Sequence, residues 1–190
     1  MTSKYIAGID YSYSCPSLAI SDIENATFRS TEFFYITKIV KHVGDFENLH
    51  GSKEYPYDNQ QQRFDLISNH FIGILSRYDI TDVAIEGYSY GSSAGQVFDI
   101  AENCGLLKHK LFKNNINIHI FPPSEIKKFA TSKGNADKQK MFDAFLEQES
   151  VDFRDSISYT KSSIDNPVSD IVDSYYILKL LSKKLTTPSI

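Results

Sequence analysis

Hydrophobic residues cluster in short runs early in the chain and change to a longer period after residue 58. Residues 4–10 carry the apolar run Tyr5-Ile6-Ala7-Gly8-Ile9, closed by Asp10, and predict a first strand. Residues 16–23 and 29–37 predict two more, joined by short polar turns, so the three should form an antiparallel meander. Residues 38–57 mix charge with Gly44, Gly51 and Pro56 and read as a long loop. From Asp58 the spacing of Phe64, Ile67, Phe71 and Leu75 predicts an amphipathic helix over 58–77. A fourth strand over 81–86 ends in Glu86, and a helix over 93–113 places Val97, Ile100, Ala101, Cys104, Leu107 and Leu111 on its apolar side. Residues 116–121 make a fifth strand, stopped by Pro122-Pro123, with Ser124 read as the cap of a short helix. A further helix covers 136–149, and a polar loop covers 150–166. The last helix starts with Asn166 as cap and Pro167 in its first position, and runs to about Lys184, leaving 185–190 as a frayed tail.

Three antiparallel strands followed by strand–helix alternation predict an α/β fold: one mixed five-stranded sheet, with two of its strands parallel and helices on both faces. A chain of 190 residues with 41% hydrophobic and 23% charged residues suits a single globular domain over 1–190. No apolar run is long enough to cross a membrane, and residues 1–4 lead straight into a strand pattern, so neither a membrane span nor a signal peptide is expected. Cys15 and Cys104 have no metal-ligand spacing and are expected to be reduced, in a cytoplasmic setting.

Candidate chemistry lies in four acids. Asp10 and Glu86 close two strands, and Asp170 and Asp173 lie three apart in the first turns of the last helix. Carboxylates from two strand ends and one helix face can converge on one point, and an all-oxygen cluster of that kind suits magnesium or manganese. Two such ions about 4 Å apart can activate a water against a phosphodiester. Taken singly, each acid also has a structural reading: Asp10 as a turn residue, Glu86 as a solvated strand end, and the last pair as first-turn helix charges. Net charge is −4, yet residues 108–140 hold eight lysines against Glu125 and Asp137. That segment is therefore +6 and the remainder −10, which fits either a local polyanion contact or a solvated lysine-rich surface.

Three segments resemble the catalytic motifs of RuvC-type Holliday junction resolvases: Gly8-Ile9-Asp10-Tyr11-Ser12, Ile85-Glu86-Gly87-Tyr88 and Ser169-Asp170-Ile171-Val172-Asp173-Ser174. A fourth likeness is the pair Lys127 and Lys138, eleven apart, with Gly134 shortly before the second. The resemblance covers most of the chain and implies a ribonuclease H-like fold. It implies that Asp10, Glu86, Asp170 and Asp173 bind two magnesium ions, with manganese able to substitute. It implies that Lys127 and Lys138 contact DNA phosphate and that Lys138 neutralises charge during cleavage; Lys133 joins them on proximity alone. It also implies a homodimer acting on four-way-junction DNA, for which the helix over 93–113, with Leu106, Leu107, Leu111 and Phe112, offers a face. Where the family carries an aromatic wedge, Ser89 stands here between Tyr88 and Tyr90, and either tyrosine can stack on an unpaired base or pack locally. The longer segments 38–57 and 150–166 are similar to those of viral and phage members, which also cut flaps and other branched DNA; for such a member the setting is the host cytoplasm. Sugar kinases and actin-like ATPases also begin with a Gly-Ile-Asp strand, but they need a second domain and a glycine-rich adenosine motif. A non-catalytic binding module of the same fold would have no need to keep all four acids.

Overall fold

The computed structural model describes residues 4–88 and 94–187. Strands β1 (Tyr5–Asp10), β2 (Ser17–Asp22) and β3 (Glu32–Thr37) form the expected antiparallel meander. Next come β4 (Gly44–Phe46), β5 (Leu49–Lys53), helix α1 (Gln60–Leu75), β6 (Ile80–Glu86), α2 (Ala94–Lys113) and β7 (Asn117–Phe121). Helices α3 (Pro123–Thr131), α4 (Lys138–Glu149) and α5 (Val168–Thr186) complete the chain. The strands form one sheet in the order β4-β5-β3-β2-β1-β6-β7, with β6 parallel to β1 and β7 parallel to β6.

The sheet therefore has seven strands among the described residues, not five. The two extra strands lie in the segment read as a loop. There β4 and β5 form a hairpin whose turn residue Glu47 has φ 57°, and β5 adds parallel to β3. Glycine hid this strand. A Cβ on Gly51 would come within 2.1 Å of the His42 carbonyl oxygen and 2.8 Å of the Tyr35 hydroxyl, so the position admits no side chain. Segment 150–166 is a loop as expected, but it is packed: Phe153, Ile157, Tyr159 and Ile164 are buried. The Ile157 carbonyl hydrogen-bonds the His42 ring at 2.6 Å, and the Tyr159 hydroxyl donates to the Ser163 carbonyl at 2.7 Å.

Strand pleating sends alternate residues to opposite faces. Ile6 of β1 and Ala84 of β6 pack with α3, α4 and α5; Ala7, Ile9, Val83 and Ile85 pack with α1 and α2. Helices thus cover both faces, and each fully buried Ile or Phe contributes about 1.5–3 kcal/mol. Two helix starts differ from expectation. Pro122, not Ser124, holds the cap position of α3, because proline needs no amide partner there. Pro167 caps α5 in place of Asn166, whose side chain is engaged with Ser14 and Ser169 instead. Helix α5 runs to Thr186, beyond the expected stop near 184. No helix among the described residues is long and apolar enough to cross a membrane.

Candidate active site

The alternation that builds the core also aims the first two acids. Ile6, Gly8 and Asp10 share one face of β1, and Ala84 and Glu86 share the same face of β6. The parallel register pairs Ile9 with Ile85, so Asp10 and Glu86 leave neighbouring strand ends side by side, on the face that α5 covers. Helix α5 can cross β1 this closely only because residue 8 is glycine. A Cβ there would lie 2.4 Å from the Leu178 amide nitrogen and 2.5 Å from the Ser174 carbonyl oxygen. The crossing brings the first turns of α5, with Asp170 and Asp173, to the same sheet edge. At the crossing the Ser17 and Ser174 hydroxyls meet at 3.0 Å.

A network of small polar groups holds the edge together. The Ser12 hydroxyl donates to Asp170 Oδ1 at 2.9 Å and accepts from the Cys15 amide at 3.2 Å. The Ser169 hydroxyl donates to Asp170 Oδ2 at 3.2 Å. Asn166 Nδ2 donates to the Ser14 hydroxyl at 2.8 Å, tying the turn after β1 to the start of α5. Lys138, at the first position of α4, reaches Asn166 Oδ1 at 3.4 Å and Asp165 Oδ1 at 3.7 Å. Ser12, Ser14, Asn166 and Ser169 were not read as site residues from the sequence. Ser12 and Ser169 sit inside the first and last acidic motifs, which was the available signal.

Asp10 and Asp170 are buried, with 7% and 4% of their surface exposed, and Glu86 and Asp173 are half-buried. Burial, then the charges of Asp170, Asp173 and Glu86, hold Asp10 well above the usual carboxylate range, and its acid form hydrogen-bonds Asp170. Burial, then Glu86 and Asp170, push Asp173 up to about 8, while Lys138 and Lys127 pull it down. Asp170 is pushed up to about 6 by burial, against its Ser12 hydrogen bond and the charge of Lys138. Glu86 is raised by burial and lowered by Lys127. All four acids therefore share one electrostatic environment, and both lysines reach into it. Gly134 helps hold the lysines' helices together, since a Cβ there would lie 3.1 Å from the Ser124 carbonyl oxygen. Among the described residues, no group of three or more acidic, histidine or cysteine side chains is arranged to hold a metal ion as it stands.

The other sequence candidates fare unequally. Lys133 is exposed in the α3–α4 turn and lines a recess with Thr131, Asp143 and Glu147 that includes none of the four acids. Tyr88 is exposed beside Glu86, with the Lys108 ammonium 4.8 Å from its ring centre. Tyr90 lies outside the described residues. On α2, Leu107 and Leu111 are core residues, because they face the sheet; among the described residues, its exposed large apolar side chains are Phe98 (69%) and Phe112 (70%).

Residues 47–151, more than half of the chain, match the family model described as Crossover junction endodeoxyribonuclease RuvC. The chain belongs to the RuvC family. Curated relatives include the crossover junction endodeoxyribonucleases RuvC of two Helicobacter pylori strains, each 32% identical over 82 residues, covering 43% of this chain and 52% of the relative. The chain thus spans about half the length of the curated relatives it matches. Among solved structures, Thermus thermophilus RuvC is similar with a TM-score of 0.60 at 15% identity, covering 95% of each chain. The same organism's RuvC in complex with Holliday junction substrate gives 0.57 at 12% identity over 97% of each chain. The fowlpox virus resolvase with Holliday junction DNA gives 0.50 at 14% identity, covering 96% of this chain and 99% of that one. At these identities the structures speak for a shared fold.

Proposed function

We propose that this RuvC-family chain is a divalent-metal-dependent endonuclease that cuts branched DNA, with the four-way junction as its substrate. The observation that carries the reading is the meeting of four carboxylates at one sheet edge, within electrostatic reach of Lys127 and Lys138. The donor set suits a hard cation: it is all oxygen, and the charges of neighbouring acids help raise the proton affinity of Asp10 and Asp173. Asp10, Glu86, Asp170 and Asp173 would hold the metal, two magnesium ions being the natural complement, with manganese as a substitute. When bound, the metal supplies an activated water and charge neutralisation at the phosphate.

The protein's own groups do the rest. Ser12 and Ser169 orient the two oxygens of Asp170, so its carboxylate is preset by hydrogen bonds from opposite sides. Lys138 is held at the edge by Asn166 and Asp165 and would offset charge that builds on the phosphate during cleavage. Lys127 would contact the neighbouring phosphate, and the exposed Tyr88 would face an unpaired base.

A junction has two strands to cut symmetrically, which calls for a two-fold dimer. Helix α2 offers the face. Gly105 has open space around its Cβ position and lies seven residues from both Phe98 and Phe112. Two such helices crossing antiparallel at Gly105 would set each Phe98 against the partner copy's Phe112. The test is cleavage of a four-way junction, a flap, a splayed arm and a plain duplex, with cut sites mapped. Symmetric cuts in the junction are the expected result. Preferential flap cutting would shift the reading to a broader branched-DNA nuclease, and binding with no cut on any substrate would leave only a binding module.

A further inference from the structure

The two longer segments, 38–57 and 150–166, meet each other in the fold. His42 is buried; its Nδ1 lies 2.6 Å from the Ile157 carbonyl oxygen, and its ring stacks on Tyr159 at 6.0 Å. The Tyr35 hydroxyl donates to the His42 carbonyl at 2.8 Å, so the turn Val40–His42 is pinned to the sheet as well. Beside this lock the Lys41 ammonium donates to the Thr160 hydroxyl at 3.1 Å. Lys161 follows, 2.9 Å from Asp165 Oδ2, and the other oxygen of that carboxylate faces Lys138 at 3.7 Å. Lys138, Lys161 and Lys41 thus stand in a row that starts beside the acids. Sheet register adds Lys53 and gives the row its direction. Asp10 pairs with Ser17, Ser17 with Tyr35 and Tyr35 with Gly51, so these four residues share one level and one face. Lys53 is two residues past Gly51, hence on the same face and at the same sheet edge as Asp10. Lys38 takes the opposite face, where it pairs with Glu54 at 3.2 Å.

Lys138, Lys161, Lys41 and Lys53 are exposed, on a chain whose net charge is −4. A row of cations with a fixed direction on an acidic protein suits a polyanion laid along it. We infer that these four lysines form a rail for the phosphate backbone of one duplex arm, leading away from the cut across the ends of β2, β3 and β5. The inference rests on the nuclease reading and adds to it the path by which the DNA leaves the acids. Three strand spacings separate Asp10 from Lys53, about 14 Å. One strand of a duplex carries a phosphate for each 3.4 Å or so of helix axis, so the rail engages about four nucleotides. The two segments hold each other before DNA arrives, which keeps the ordering cost of binding low. Contacts to phosphate carry no base information, so the arm is held whatever its sequence.

The test is binding of a four-way junction by the Asp10→Asn protein, which leaves the strands uncut, over salt from about 0.05 to 0.2 M. Adding Lys41→Gln and Lys53→Gln should flatten the fall of log affinity with log salt by about 1.8, at about 0.9 for each lost phosphate contact. Binding at about 0.1 M salt should weaken at least about tenfold. Lys41→Arg with Lys53→Arg should keep both slope and affinity. With Asp10 intact, the glutamine pair should leave the single-turnover cleavage rate at saturating junction within about twofold. A block of about four methylphosphonates, which carry no charge, is then moved stepwise along each arm. It should weaken binding of the Asp10→Asn protein at one place on an arm, and that loss should be absent from the glutamine variant. A glutamine variant with the melting temperature, slope and affinity of its parent overturns the rail and leaves the nuclease reading standing. An equal loss in the arginine pair also overturns the rail, since charge would then not be the cause. A junction that is neither bound nor cut overturns both.

Discussion

Replacing Asp173 by asparagine should make this protein more stable at pH 8 in the absence of divalent cations. Burial and the charges of Glu86 and Asp170 push the Asp173 carboxyl up to about 8 from its ordinary 3.8. Below about pH 4 the carboxyl is protonated in both folded and unfolded chains, and it costs nothing. Between pH 4 and 8 the unfolded chain releases the proton while the folded chain keeps it, so stability falls as pH rises through that window. Four units at about 1.4 kcal/mol each set a ceiling of several kcal/mol. Partial exposure of Asp173 and screening reduce this to about 2 kcal/mol. For a domain of this size that is a rise of roughly 4–8 °C in melting temperature. The assay is thermal unfolding of wild type and Asp173→Asn in chelator at pH 4 and pH 8, repeated with magnesium. The advantage of the variant should be near zero at pH 4, full at pH 8, and reversed when magnesium stabilises only the wild type. A variant that melts several degrees below wild type at pH 8 in chelator would refute the reasoning, since Asp173 would then be a structural anion.

Three further perturbations follow from the same geometry. Gly8→Ala puts a methyl group 2.4 Å from the backbone of α5, so it should cost at least about 1–3 kcal/mol in denaturant unfolding and depress cleavage by displacing Asp170 and Asp173; a variant as stable and active as wild type would contradict the close crossing. Lys138→Ala should reduce the cleavage rate far more than junction binding, and equal losses in both would remove its role in offsetting charge at the phosphate. Arg63 is buried, donates to Glu54 Oε1 at 2.6 Å and the Tyr13 carbonyl at 2.5 Å, and lies 4.4 Å from the Tyr13 ring centre. Arg63→Ala should destabilise by about 3–5 kcal/mol in chemical unfolding, and a loss under 1 kcal/mol would show the pair to be dispensable.

The sequence was most readable where one physical signal dominated. The apolar runs ending in Asp10 and Glu86 predicted two strand ends, and pleating then aimed both acids at the face of α5 without further information. The spacing of Asp170 and Asp173 placed them on one helix side in the same way. Signals failed where a residue served a neighbour rather than its own element. Gly51 looks like a strand breaker, yet it is a strand residue whose missing side chain makes room for the His42 carbonyl and the Tyr35 ring. The 150–166 segment reads as polar, yet Phe153, Ile157, Tyr159 and Ile164 carry it into the core. On α2 the leucines and Phe112 looked alike in sequence, and only the side of the helix that meets the sheet decides which are core. Lys133, read on proximity to Lys127 and Lys138 alone, lies in the α3–α4 turn and lines a recess that includes none of the four acids.

The most direct measurement is magnesium-dependent nicking of a synthetic four-way junction by wild type and by Asp10→Asn, with both proteins shown to be folded and to bind the junction. Asp10 stands where burial and three other acids act together, so its loss should remove cutting while binding persists. Cuts by wild type that need magnesium, and none by the variant, are the predicted result. Equal cutting by the two proteins, or none by either in magnesium or manganese, would contradict the four-acid site as the seat of the chemistry.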